Sequence, residues 1–158
     1  MSKQHLRLTF YGRPEPVHVE IGQVDADDIL GGVKGLAAGG KDIQAFYLFP
    51  VSDALSALIS VSEIQTLQLT SQPNGDWKPA AHKGGVAFYL KGRTEPLVLD
   101  YTGHGPLDDM FHGLAEMRYG EEIPGCIMLT DGAGEPAFFR MDEIQYAVVK
   151  TGLIKRLS

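Results

Sequence analysis

Two short segments set an arginine and a carboxylate two residues apart in what reads as a hairpin turn. They are Gly12-Arg13-Pro14-Glu15-Pro16 and, eighty residues later, Gly92-Arg93-Thr94-Glu95-Pro96. Arginine presents a planar fork that holds a carboxylate or phosphate through paired hydrogen bonds. Arg13 and Arg93 could therefore grip an anionic ligand or a partner's carboxylate, with Glu15 and Glu95 beside them. The plainer role is the turn itself: glycine opens it, proline restricts it, and an exposed Arg–Glu pair contributes only about 0–1 kcal/mol.

A second candidate group lies in the segment Thr102-Gly103-His104-Gly105-Pro106 and the helix it enters. Asp108 and His112 stand one turn apart and share a helix face, and His104 in the preceding loop could close a three-ligand metal site for hydrolysis. The corresponding places in the first half hold Val24, Asp28 and Gly31 or Gly32, so such a site would belong to one half alone. Carboxylates at a helix start are already accounted for by the positive end of the helix dipole. Neither a metal nor any other cofactor is expected.

Gly35-Leu36-Ala37-Ala38-Gly39-Gly40-Lys41 satisfies the first seven positions of a phosphate-binding loop. It fails at the eighth, where Asp42 replaces the hydroxyl residue that binds magnesium, and it follows a helix where such a loop precedes one. A glycine cap ending the helix is the better explanation. Cys126, the only cysteine, reads as an inert buried thiol in an apolar strand. Neither a Gly-x-Ser-x-Gly turn nor a zinc-protease helix is present.

The elements that must position these residues occur twice. At the offset of eighty, Gly40-Lys41-Asp42-Ile43 matches Gly120-Glu121-Glu122-Ile123, and Ser62-Glu63-Ile64-Gln65 matches Asp142-Glu143-Ile144-Gln145. Ile29, Leu30, Val33 and Leu36 match Met110, Phe111, Leu114 and Met117 one residue further on. Each half begins with alternating apolar residues, Leu6, Leu8, Phe10 and Val17, Val19, Ile21 in the first, the mark of a half-buried hairpin. An acidic start and an apolar stripe then give one short amphipathic helix. Buried and returning strands follow. The reading is an α+β chain made by tandem duplication of a ββαβββ unit, or ββαββ if the last two strands are one bent strand, with antiparallel sheets each carrying one short helix. The first repeat covers residues 1–71 and the second 85–158. Residues 72–84 form a linker rich in turn formers, in which Trp77 either plugs a gap between the repeats or stacks on a ligand.

The chain of 158 residues carries a net charge of −6 with its basic residues scattered, which disfavours a nucleic-acid partner. No apolar run approaches the roughly 20 residues that span a bilayer, and one cysteine suits a reducing compartment. A cytoplasmic protein with no membrane partner is expected. The sequence therefore predicts a non-catalytic binding or assembly protein, a pseudo-dimer with a two-fold-like interface that acts on a protein partner or on itself. The first alternative is a binder of an anionic metabolite or nucleotide-like signal, contacted by Arg13, Glu15, Arg93, Glu95, Trp77 and His104. The second is a metal-dependent hydrolase using His104, Asp108 and His112.

Overall fold

The computed structural model describes residues 3–40, 43–52, 54–70, 85–100, 106–123, 125, 127–130 and 135–154. Trp77, His104, Cys126, Asp42 and the linker at 72–84 lie outside the described residues. The fold is α+β, with antiparallel sheets and two short helices. In the first half the order is β1 (Lys3–Phe10), β2 (Val17–Gly22), α1 (Gln23–Ala37), β3 (Phe46–Pro50), β4 (Leu55–Ser60) and β5 (Ile64–Thr70). In the second it is β6 (Gly85–Leu90), β7 (Leu97–Asp100), α2 (Pro106–Glu116), β8 (Ile127–Thr130), β9 (Pro136–Phe139) and β10 (Ile144–Lys150). A 3₁₀ turn separates the last two strands of each half, at Val61–Glu63 and Met141–Glu143, so they are two strands and not one bent strand.

Local geometry recurs with the sequence. Gly12 and Gly92 both take φ of 75°, the left-handed conformation that glycine alone adopts without a Cβ penalty. The following residues close matching turns: the Arg13 amide donates to the Phe10 carbonyl at 3.1 Å and the Arg93 amide to that of Leu90 at 3.3 Å. At the end of α1, Gly39 donates to Leu36 and Gly40 to Gly35, both glycines at positive φ. This pair of bonds is the Schellman cap, which satisfies helix carbonyls that otherwise lack donors. The glycine-rich stretch up to Gly40 thus ends a helix. Two more glycines permit close packing, since a Cβ on Gly32 would lie 2.8 Å from the Tyr47 ring and one on Gly35 would meet Ile43. Gly31 and Gly113 have nothing within 4 Å on that side, so close approach does not explain them.

The strands assemble across the two halves. One sheet has the order β2-β1-β5, and a five-stranded sheet runs β3-β4-β10-β6-β7, joining the first half's hairpin to the second half's last strand. β8 and β9 form a separate hairpin. In the five-stranded sheet, Leu58 lies opposite Ala147, and Ala147 opposite Phe88, along one face. That face packs on α2 and on the β8–β9 hairpin through Phe111, Leu129 and Phe139. Its other face, with Ala57, Ile59, Ala87, Tyr146 and Val148, packs against Leu6, Leu8 and Phe10 of the three-stranded sheet and against α1. Leu8, Val19, Phe88, Leu99 and Ile144 are all buried in these cores, while Ile64 is half-buried at the edge of its cluster.

Phe88 in β6 stands eighty residues after Leu8 in β1, yet the two point into different cores. The first half's helix-bearing face meets the back of the second half's sheet, so the halves stack face to back. A two-fold-like arrangement would set equivalent faces against each other. The difference has a physical reason in β10: Tyr146 and Val148 on one face and Ala147 and Val149 on the other are all buried, so this strand needs cover on both sides.

Candidate functional site

The turn after β1 and the turn after β6 meet. Together with Gln145 and Tyr146 of β10 and Tyr89 of β6, they enclose a cleft of about 410 Å³ whose wall includes Arg13, Glu15, Arg93 and Glu95. Four of the residues singled out from the sequence are therefore brought together. This volume falls within the ~300–1,000 Å³ typical of small-ligand sites.

The two arginines hold different positions in it. Arg13 is half-buried and donates from Nε to Gln145 Oε1, and from one terminal nitrogen to the Leu90 carbonyl at 2.7 Å. Its other terminal nitrogen lies 3.5 Å from the Thr94 carbonyl, in the partner turn. The guanidinium carbon sits 5.3 Å from the centre of the Tyr89 ring and 5.9 Å from that of Tyr146, inside the range of cation–π attraction. Arg13 is thus a clasp from the first half onto the second. Arg93 is exposed, and its guanidinium makes no hydrogen bond or ion pair with a described residue. Glu15 and Glu95 are exposed at the rim, so the cleft holds two cations and two anions and presents a mixed wall.

Gln145, Tyr89 and Tyr146 were not among the residues singled out. Gln145 is 2% exposed and donates from Nε2 to the Tyr11 carbonyl at 2.6 Å and to Glu63 Oε1 at 3.1 Å, while Glu63 pairs with Lys91 at 3.2 Å. One buried amide thus ties the Arg13 clasp to both turns. Its place in the repeated Glu-Ile-Gln block was the available signal. Tyr146 stacks on Tyr89 at 4.2 Å and on Phe10 at 4.7 Å. An aromatic pair in strands that also bury the opposite face was the signal there.

Burial pushes the Tyr146 phenol well above its ordinary pKa of 10.0; Tyr89 and Glu15 add to the rise, and Arg13 opposes it. The unfolded chain ionises this phenol near pH 10 and the folded chain only at higher pH. The stability tied to it is complete below pH 10 and is lost as pH rises toward the folded value. A titration followed by tyrosinate absorbance should show one tyrosine ionising only together with loss of the folded state, and Tyr146→Phe should remove that step. A Tyr146 that ionises freely while the chain stays folded would contradict the packing described.

Of the other candidates, Trp77 and His104 lie outside the described residues, and Asp108 and His112 lie away from the cleft wall. Asp108 and His112 are joined on α2 by a 3.2 Å contact between Oδ1 and Nε2, the i, i+4 pairing of a helix face. Among the described residues no three His, Cys, Asp or Glu side chains gather as a metal-binding group. Among the described residues no helix is long and apolar enough to cross a membrane. Among the described residues, the cleft offers a guanidinium with open donors, carboxylates that accept, and aromatic faces. No protein-family model matches the chain, and no curated protein or solved structure matches it.

Proposed function

We propose that the chain is a non-catalytic binding protein, descended from duplication of one ββαβββ unit, and that the cleft between its two turns holds a small anionic ligand. The observation that carries this reading is the meeting of both Gly-Arg-x-Glu-Pro turns at one cleft, with Arg93 left free of partners among the described residues. An anionic group fits at Arg93, where paired hydrogen bonds are available. A ring fits against Tyr11, which is 54% exposed at the cleft wall. Glu15 and Glu95 accept from donors on the same molecule, so the best match is an anion that also carries amino or hydroxyl groups, as a nucleotide-like signal does. Arg13 contributes by holding the wall in place.

Thermal denaturation against inorganic phosphate, nucleoside monophosphates and cyclic nucleotides tests the reading. At least one nucleotide should raise the midpoint, and Arg93→Ala should abolish that rise while leaving the midpoint without ligand nearly unchanged. A panel that leaves the midpoint unmoved, or a rise that survives Arg93→Ala, counts against the cleft.

A second reading, self-assembly, is favoured by a separate observation. Phe138 is 67%, Leu69 54% and Met128 51% exposed, and among the described residues β5 is an end strand of its sheet. Large apolar side chains beside an open strand edge are a template for pairing with another chain.

A further inference from the structure

The joint between β4 and β10 states a rule that the chain applies once and leaves open at both ends. The hairpin of the first half, β3–β4, adds to the last strand of the second half in antiparallel register. Leu58 on that hairpin is 0% exposed because the row continues through Ala147 and Phe88 beneath α2. Eighty residues on, the hairpin β8–β9 carries Phe138 in the place of Leu58 and Met128 in the place of Leu48, and both are exposed. Eighty residues back from β10 lies β5, where Leu69 is 54% exposed while its counterpart Val149 is fully buried. The same contrast reaches the helices: Leu30 and Val33 of α1 are half-buried, whereas Phe111 and Leu114 of α2 are 0% and 2% exposed.

Among the described residues, the second half's hairpin therefore has no acceptor strand and the first half's last strand has no hairpin beside it. They cannot meet within one molecule. The β8–β9 hairpin packs on one face of the five-stranded sheet and the sheet containing β5 packs on the other. We infer that β9 of one copy pairs with β5 of a second copy, in the register obtained by shifting the β4–β10 ladder by eighty, and that this inference rests on the self-assembly reading above. Leu58 opposite Ala147 becomes Phe138 opposite Leu67, and Ser56 opposite Val149 becomes Pro136 opposite Leu69. Phe138 then lies in the row that Leu67, Leu8 and Val17 already form, under the half-covered α1 of the second copy. Pro136 is the first residue of its strand, a place where a missing amide is tolerated.

The two surfaces are different, so the contact is heterologous and each copy keeps one free end of each kind; such contacts build rings or chains. The outward face of the three-stranded sheet is polar, with Arg7, Thr9, Thr66 and Gln68 where the five-stranded sheet has Ala87, Tyr89, Tyr146 and Val148. Copies thus join along an edge and a hairpin face without stacked sheets between them. That smaller contact makes the association weak and dependent on concentration.

The test is a mixed cross-link with the full chain. Leu69→Cys and Pro136→Cys are made separately, each together with Cys126→Ser, and oxidised alone and mixed. Residues opposed across an antiparallel ladder have Cα atoms about 4.5–5.5 Å apart, within disulfide reach. The mixture should give a covalent dimer and neither variant alone should. In sedimentation, the average mass of the unmodified chain should rise with concentration, and Phe138→Asp should suppress the rise without moving the melting transition, because that side chain is exposed. A dimer from Leu69→Cys alone would show edge-to-edge pairing of β5 and overturn the inference. Association without the mixed cross-link would leave self-assembly standing and remove this pairing; a chain monomeric throughout would remove both.

Discussion

Phe88→Ala should cost about 3–5 kcal/mol, the range for removing a large buried aromatic, and should do so in a single unfolding transition. Phe88 is fully buried, with Phe139 at 4.5 Å and Phe111 at 6.0 Å between ring centres, so three elements lose contacts when it is truncated. The single transition is the more telling part. The two cores lie on opposite faces of one sheet whose strands come from both halves, and melting either core strips cover from that sheet. Leu8→Ala, in the other core, should cost about 2–5 kcal/mol and shift the same transition. Calorimetry of both variants decides the point: two resolved transitions, one moved by each substitution, would show that the halves unfold independently.

Arg13→Ala should lower stability by about 2–4 kcal/mol, while Arg93→Ala changes it by less than about 0.5 kcal/mol. The same residue type in the same turn carries opposite burdens. Removing the Arg13 guanidinium leaves the Gln145 amide oxygen without its Arg13 donor, takes from the Leu90 carbonyl the shorter of its two hydrogen bonds, the Arg93 amide remaining, and uncovers the Tyr89 and Tyr146 rings. Removing that of Arg93 breaks no hydrogen bond or ion pair to a described residue. Arg13→Lys should recover only part of the loss, because an ammonium reaches one of these acceptors and not a planar set. Urea denaturation of the three variants measures the differences directly; equal effects of the two alanine substitutions would contradict the clasp.

What could be read from the sequence was whatever depends on neighbours in the chain. Alternation placed Leu6, Leu8 and Phe10 on one face of a strand, and glycines after an apolar helical stripe placed the cap at Gly39 and Gly40. Partners distant in sequence were harder. Nothing within Leu55–Ser60 says that it pairs with β10, because a strand's partner is chosen by the surface it completes. A hint was present in composition. Ile144-Gln145-Tyr146-Ala147-Val148-Val149 is apolar on both faces, as a central strand must be, whereas Ile64-Gln65-Thr66-Leu67-Gln68-Leu69 keeps polar residues on one side, as an edge strand does. Reading that contrast at equivalent positions separates a face-to-back stack from a two-fold arrangement. The site was legible only to the level of residue type. The repeated turns named Arg13 and Arg93 together; which one would be tied down depended on Gln145, Tyr89 and Tyr146, which reach Arg13 through the stacking and not through the repeat.

Amide chemical shifts followed during titration with a nucleoside monophosphate, with inorganic phosphate as a second probe, test the binding cleft most directly. Binding there should move the resonances of Tyr11 to Glu15, Tyr89, Gly92 to Glu95 and Gln145, leave those of α2 around Asp108 and His112 in place, and vanish in Arg93→Ala. Saturating shifts centred on Asp108 and His112, or shifts at the cleft that persist unchanged in Arg93→Ala, would contradict it.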